Sequence, residues 1–232
     1  MITLTRSLQR LRTRNGGQET WCSFNTDNPF DPGRHGFRTL ECLREEGLAP
    51  GAEFQFLTPH SVEILTYVKS GALILEDPSG RSVALEAGEC HRSSAKTGTL
   101  YRGMNNSRVE PTRAFQCAIT PDRGILQTPA EKRRFPQAER RGVLRLLVSR
   151  SGRDSSLRVR QDVGVYSSIL DTGHHLIHEL AAGRAAWVHV VKGRIQLVDR
   201  TLETGDGAAL VEEAAVSLTA REPSEILLFD LA

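Results

Sequence analysis

Apolar and polar residues alternate in short runs along most of the chain, with a period of two rather than the 3.6 of a helix. Residues 37–43 put Phe37, Thr39, Glu41 and Leu43 on one face and Leu40 and Cys42 on the other. The runs 64–68, 72–75, 82–85 and 114–120 read as further short strands. Asp77-Pro78-Ser79-Gly80 forms a tight-turn sequence between 72–75 and 82–85. The second half predicts strands over 144–148, 157–159, 164–170, 176–180, 186–191, 194–198, 207–211, 216–219 and 226–229. Short strands punctuated by Gly, Pro and Asp predict an all-β sandwich or barrel with few short helices. One helix is expected over 128–139, broken at Pro136.

The halves share a phrase. Tyr67-Val68-Lys69-Ser70-Gly71 with Leu73 and Leu75 returns as Val190-Val191-Lys192-Gly193 with Ile195 and Leu197. Each is followed by a turn, then by Gly88-Glu89 in one half and Gly205-Asp206 in the other. Such an echo predicts two copies of one antiparallel barrel. The expected division is a first barrel over 1–121, a linker rich in proline and charge over 122–142, and a second barrel over 143–232. Whether the N-terminal strand packs on the second barrel is left open.

Composition changes little. A net charge of +2 over 232 residues argues for no strongly charged partner. No apolar run is long enough to span a bilayer, and Met1-Ile2-Thr3-Leu4-Thr5-Arg6 lacks the apolar middle of a signal peptide, so a cytoplasmic protein is expected. Residues 131–160 carry ten Lys/Arg and three Asp/Glu, a net +7. With Phe135 as its only aromatic and no reading helix, this stretch reads as a solvated basic face, not a nucleic-acid surface. No heptad or long apolar edge calls for an oligomer, so a monomer is expected; a protein partner stays open. The four cysteines lie far apart without a CxxC pair, which argues against a cysteine-built zinc site. They read as buried thiols, with Cys42, Cys90 and Cys117 as redox candidates if one is exposed and of low pKa.

The chain resembles the pirin family of bicupins, in particular its bacterial, quercetinase-like members. Phe30-Asp31-Pro32, Gly36-Phe37-Arg38 and Leu48-Ala49-Pro50-Gly51 carry the likeness at the start. Glu63-Ile64-Leu65-Thr66-Tyr67-Val68 with Gly71 is similar to the first barrel motif, and Ala87-Gly88-Glu89 with Thr97-Gly98 to the second. Phe115-Gln116, Pro121, Arg133-Arg134-Phe135, Gln161-Asp162, Trp187-Val188 and Leu227-Leu228-Phe229-Asp230-Leu231 extend it over nearly the whole chain. The resemblance implies a tandem cupin, or jelly-roll, fold. It also implies one iron or similar divalent ion in the first barrel, held by three histidines and a glutamate. Counting back from Glu63 without a gap places Leu57 and Pro59 where two of those histidines belong; a one-residue deletion places Thr58 and His60 there. The remaining histidine and glutamate fall on Tyr101 and Gly103.

A mononuclear site needs about three or four converging donors. Thr58 is a poor neutral donor, Gly103 has none, and Tyr101 would have to lose a proton of pKa about 10. The expectation is therefore no cofactor, with Thr58, His60, Tyr101 and Gly103 as former ligand positions. In the second half, His175 and His178 would lie on opposite faces of a strand, so His174, His175, His178 and His189 read as surface or core histidines. A barrel without metal keeps a concave mouth, expected near Phe54, Phe56, Thr58, His60, Tyr101, Gly103, Met104 and Gln116 and suited to a small aromatic molecule. His60 and Tyr101 are the candidates for metal-free acid–base chemistry. Three readings stand: a small-molecule-binding or regulatory bicupin, a metal-dependent quercetin 2,3-dioxygenase-like oxygenase, and a redox sensor working through a cysteine.

Overall fold

The computed structural model describes residues 1–24, 36–76, 80–122 and 129–232. They form two compact units. The first barrel comprises residues 11–36 and 40–134; the second comprises 1–10, 37–39 and 135–232.

Each unit is a seven-stranded sheet facing a four-stranded one, the two-layer solution expected of amphipathic strands. In the first barrel the large sheet runs Glu131–Arg134, Glu89–Ala95, Val62–Ser70, Thr112–Ile119, Leu40–Leu48, Gln18–Cys22, Leu11–Asn15. Its small sheet runs Glu53–Leu57, Leu100–Met104, Ala72–Glu76, Ser82–Glu86. In the second barrel the large sheet runs Ile2–Thr5, Gly207–Val211, Ala185–Lys192, Ser224–Leu231, Val163–Leu170, Arg145–Ser149, Leu157–Arg158. The small one runs His175–Glu179, Ala215–Ala220, Arg194–Leu197, Arg200–Glu203. The tandem all-β cupin reading holds.

The repeated phrase has a physical basis. Gly71 and Gly193 sit at φ +74° and +91°, where a side chain is strained. A Cβ on Gly71 would lie 2.6 Å from the Pro111 carbonyl oxygen, and one on Gly193 would lie 2.6 Å from that of Pro223. The second echo is a turn: the Gly88 and Gly205 amides donate to the Val68 and Val190 carbonyls, both at 2.8 Å. Glu89 then accepts from the Glu86 amide, and Asp206 from the Glu203 amide.

Several expectations are corrected. The strand expected over 37–43 is Leu40–Leu48. Leu40 pairs with Ile119 and Cys42 with Ala118, so Glu41 is an extra residue that breaks the alternation. The helix expected over 128–139 is replaced, within the described residues, by the strand Glu131–Arg134 and a helical turn, Gln137–Arg140. The stretch read as a solvated linker is therefore built into the fold. Phe135 is 0% exposed, and Arg140, 2% exposed, pairs with Glu225 at 2.9 Å. The N-terminal strand Ile2–Thr5 pairs with Gly207–Val211 and so belongs to the second barrel, unlike the expected division at 121 and 143. Glu53–Leu57, Leu100–Met104 and Glu89–Ala95 are strands that went unpredicted. Residues 77–79 and Phe30, Asp31 and Pro32 lie outside the described residues. Among the described residues no helix is long and apolar enough to cross a membrane.

The basic stretch is substantially neutralised. Lys132 pairs with Glu89, Arg134 with Glu86, Arg141 with Asp171 and Arg145 with Glu139.

Candidate functional site

The inner face of the first barrel's large sheet carries a row of side chains set by the strand register. Cys22 lies opposite Arg44, Arg44 opposite Gln116, Gln116 opposite Thr66, and Thr66 opposite His91. Cross-strand partners project to the same side of a sheet, so these five share one face. Thr66 is 0% exposed and Gln116 2%. The Thr66 hydroxyl and both ends of the Gln116 amide have no hydrogen-bond partner.

A cavity of about 390 Å³ opens over this row. Arg44, Gln116, Cys42, Thr58 and Glu41 give it polar groups. Phe56, Leu57, Pro59, Val62 and Ile64 give it an apolar wall. The Arg44 guanidinium lies 4.2 Å from the centre of the Phe56 ring, a cation–π stack. Burial works against the Arg44 charge, but Cys42, Cys22, a Cys42 hydrogen bond and the Glu46 carboxylate together outweigh it, so the proton is held more tightly than usual. Next along the strand, Glu46 is buried and its pKa is raised for that reason, with the Thr20 and Gln18 hydrogen bonds pulling the other way.

The four positions that the resemblance aligns with the family's metal ligands stand differently around the cavity. Thr58 is 1% exposed and donates its hydroxyl to backbone carbonyls of Lys96 and Thr99, which fixes a loop. His60 is exposed and pairs through Nε2 with Glu41, whose other oxygen accepts from Thr120. Tyr101 is 3% exposed, and its ring centre lies 5.3 Å from that of Phe56. Ser93 Oγ donates to its hydroxyl at 3.3 Å. Gly103 pairs with Phe54, and a Cβ at 103 would fall 2.3 Å from the Phe54 ring. Phe54 in turn stacks on Phe56, 6.2 Å between centres. Among the described residues, no three His, Cys, Asp or Glu side chains converge as a metal cluster would.

Of the eight expected mouth residues, Phe56, Thr58 and Gln116 line the cavity. Phe54 and Tyr101 belong to the aromatic stack beside it, and His60 turns to Glu41. Met104 is 37% exposed on the outer side of its strand. Sequence reasoning missed Arg44 because the expected strand stopped at residue 43, whereas the strand runs to Leu48. The one available signal was Arg44 keeping step with Cys42, yet the pairing with Gln116 is non-local.

The cysteines separate. Cys90 and Cys117 are 0% and 2% exposed, and burial pushes the Cys117 thiol well up. Cys42 is half-buried and lines the cavity. In the second barrel, His174 meets the Gly142 carbonyl, His175 meets Thr219, and His178 meets Asp230 at 2.9 Å, so the three do not converge. His189 is 0% exposed and burial drives its pKa down, which keeps it neutral.

Comparison with known proteins places this geometry. The Pirin family model matches residues 5–119, and that of the quercetinase C-terminal cupin domain matches residues 146–231. A quercetin 2,3-dioxygenase of Escherichia coli K12 is 33% identical over 231 residues, which cover 100% of this chain and 99% of the relative. A putative quercetin 2,3-dioxygenase of Pseudomonas aeruginosa is 33% identical over 210 residues, 90% of each chain. The crystal structure of the bacterial pirin YhhW from Escherichia coli in complex with nickel(II) superposes with a TM-score of 0.88 at 32% identity, covering 100% of this chain and 99% of that one. Two matching barrels, one echoed phrase and full-length similarity lead to one conclusion: the chain belongs to the pirin family of bicupins.

Proposed function

We propose that the first barrel is a small-molecule-binding pocket, serving a binding or regulatory role without a metal-dependent oxygenase step. The observation that carries the reading is Gly103. Where the resemblance calls for a carboxylate, there is no side chain, and the Phe54 ring occupies the space one would need. A divalent ion needs several converging donors. Here Thr58 is committed to backbone carbonyls, His60 to Glu41, and Tyr101 to an aromatic stack. These residues do not fit the ion, so no step is routed through one. The cavity of about 390 Å³ lies in the range of small-ligand sites, with an apolar wall and a few polar groups. A monomer in the cytoplasm belongs to the same reading.

The test is metal content. Protein purified without chelator should hold far less than one equivalent of iron, nickel, copper or zinc; one equivalent of any of them overturns the reading. A restoring series gives the same answer from the other side. Thr58→His, Tyr101→His and Gly103→Glu together should take up no ion while Phe54 stays, and should take one up once Phe54→Ala clears the space.

Two other readings each have one supporting observation. The relatives named as quercetin 2,3-dioxygenases favour an oxygenase, for which quercetin-dependent oxygen uptake is the assay. The half-buried Cys42 favours redox sensing. Mild peroxide should then alter Cys42 and leave the Cys42→Ser variant unchanged.

A further inference from the structure

The first barrel holds an arginine that no carboxylate grips in a close ion pair, although the Glu46 charge acts on it from farther off. Arg44 lines the cavity, and among the described residues no carboxylate stands within ion-pair distance of it. Glu41 pairs with His60 and accepts from Thr120, and Glu46 accepts from Thr20 and Gln18, so neither forms an ion pair with Arg44. Beside Arg44 in register is the Gln116 amide, buried with neither end satisfied, and beyond it the unsatisfied Thr66 hydroxyl. Buried orphans of this kind call for an explanation.

The second barrel shows that the fold does not require them. Matching the two copies at Gly71 and Gly193 puts Leu228 at the place of Gln116, Val188 at that of Thr66 and Tyr166 at that of Arg44. The Val188–Leu228 pair is fully buried and apolar. The buried Gln116–Thr66 pair, beside the cavity, therefore has an apolar counterpart in the second barrel.

We infer that the cavity receives a planar aromatic carboxylate. Its anion is received by the edge of the Arg44 guanidinium and by the Gln116 amide, and its ring lies against Phe56, Val62 and Ile64. A guanidinium stacked on an aromatic face keeps a fork of N–H donors directed outward, matched to a carboxylate. The apolar wall favours a single negative charge on a flat hydrocarbon body over a small, multiply charged anion. This deepens the binding-pocket reading and rests on it.

Calorimetry on the full chain with benzoate and 4-hydroxycinnamate, each against its methyl ester, tests the assignment. The acids should bind at least about tenfold more tightly than the esters, the worth of one charge-assisted hydrogen bond. Arg44→Gln should erase that difference by weakening the acids alone, and Gln116→Leu should weaken them by a smaller factor. Equal affinity for acid and ester, or acid binding unchanged in Arg44→Gln, overturns the carboxylate assignment and leaves a neutral-ligand pocket standing. Binding of neither acid nor ester overturns both. The acid–ester comparison uses the unaltered protein, so it decides even if a variant does not fold.

Discussion

In the first barrel the paired strands Val62–Ser70 and Thr112–Ile119 turn Thr66 and Gln116 toward the interior; in the second, Ala185–Lys192 and Ser224–Leu231 turn Val188 and Leu228. The two strand pairs match in register, and a glycine, Gly71 or Gly193, leads from each into the small-sheet strand Ala72–Glu76 or Arg194–Leu197. The second interior is a continuous aliphatic cluster that includes Leu170, Ile195, Leu197, Leu210 and Leu218. The first has its own cluster around Leu73, Leu75 and Leu85, but gives up part of the space to a cavity and a polar row. The difference separates what the fold needs from what it tolerates. Strand order and turn glycines are common to both copies, whereas unsatisfied amides are not.

Three experiments sharpen or break that comparison. The largest effect should come from moving the polar pair into the second barrel. Val188→Thr with Leu228→Gln removes apolar burial and leaves two orphans, at a cost of about 3–5 kcal/mol in chemical unfolding. A loss below about 1 kcal/mol would show that the second interior tolerates polarity as well, and the contrast would lose its meaning.

The converse change should help. Thr66→Val with Gln116→Leu gives the first barrel the second's pattern and should raise its stability by about 1–3 kcal/mol. A destabilised variant would mean that the polar row is structural.

The smallest effect is in the response to acid. Asp230, in the second barrel, is penalised by burial, but the His178 and Arg184 hydrogen bonds outweigh this and hold its pKa below 3.8. A depressed carboxylate contributes stability above its unfolded pKa and loses it as pH falls through the folded value. Glu46, in the first barrel, has its pKa raised from 4.5, chiefly by burial. It costs stability at neutral pH, and the cost disappears as pH falls below the folded value toward 4.5. Below pH 4 the Asp230 contribution to the second barrel should fade, by about 1 kcal/mol or less, whereas Glu46 adds no loss of this kind to the first. Trp21 reports the first barrel and Trp187 the second, so fluorescence with one replaced by Phe follows the other. Asp230→Asn should remove the acid loss, and Glu46→Gln the penalty at neutral pH.

The fold was largely legible because its signals are local. Alternation marks strands such as Val163–Leu170, and the glycine phrases mark the repeat. Some of the elements missed had weak local patterns: Glu131–Arg134 is charged throughout, yet pairs with Glu89–Ala95. The candidate site was half legible. Thr58, His60, Tyr101 and Gly103 were picked out by aligning a motif, a comparison that needs only one dimension. The Arg44–Gln116–Thr66 row could not, since its members come from three strands and meet only through register. The Phe54 ring beside Gly103 was hidden for the same reason: a residue read as mouth lining stands where a ligand side chain would go.

The pairing of Ile2–Thr5 with Gly207–Val211 has a consequence for how this molecule is made. The opening strand leaves the ribosome before either barrel exists, and its hydrogen-bonding neighbour emerges some two hundred residues later. A cut between residues 134 and 135 would not yield two independent halves. One fragment would trail a ten-residue tail with nothing to join, and the other would present a bare sheet edge to any strand it met.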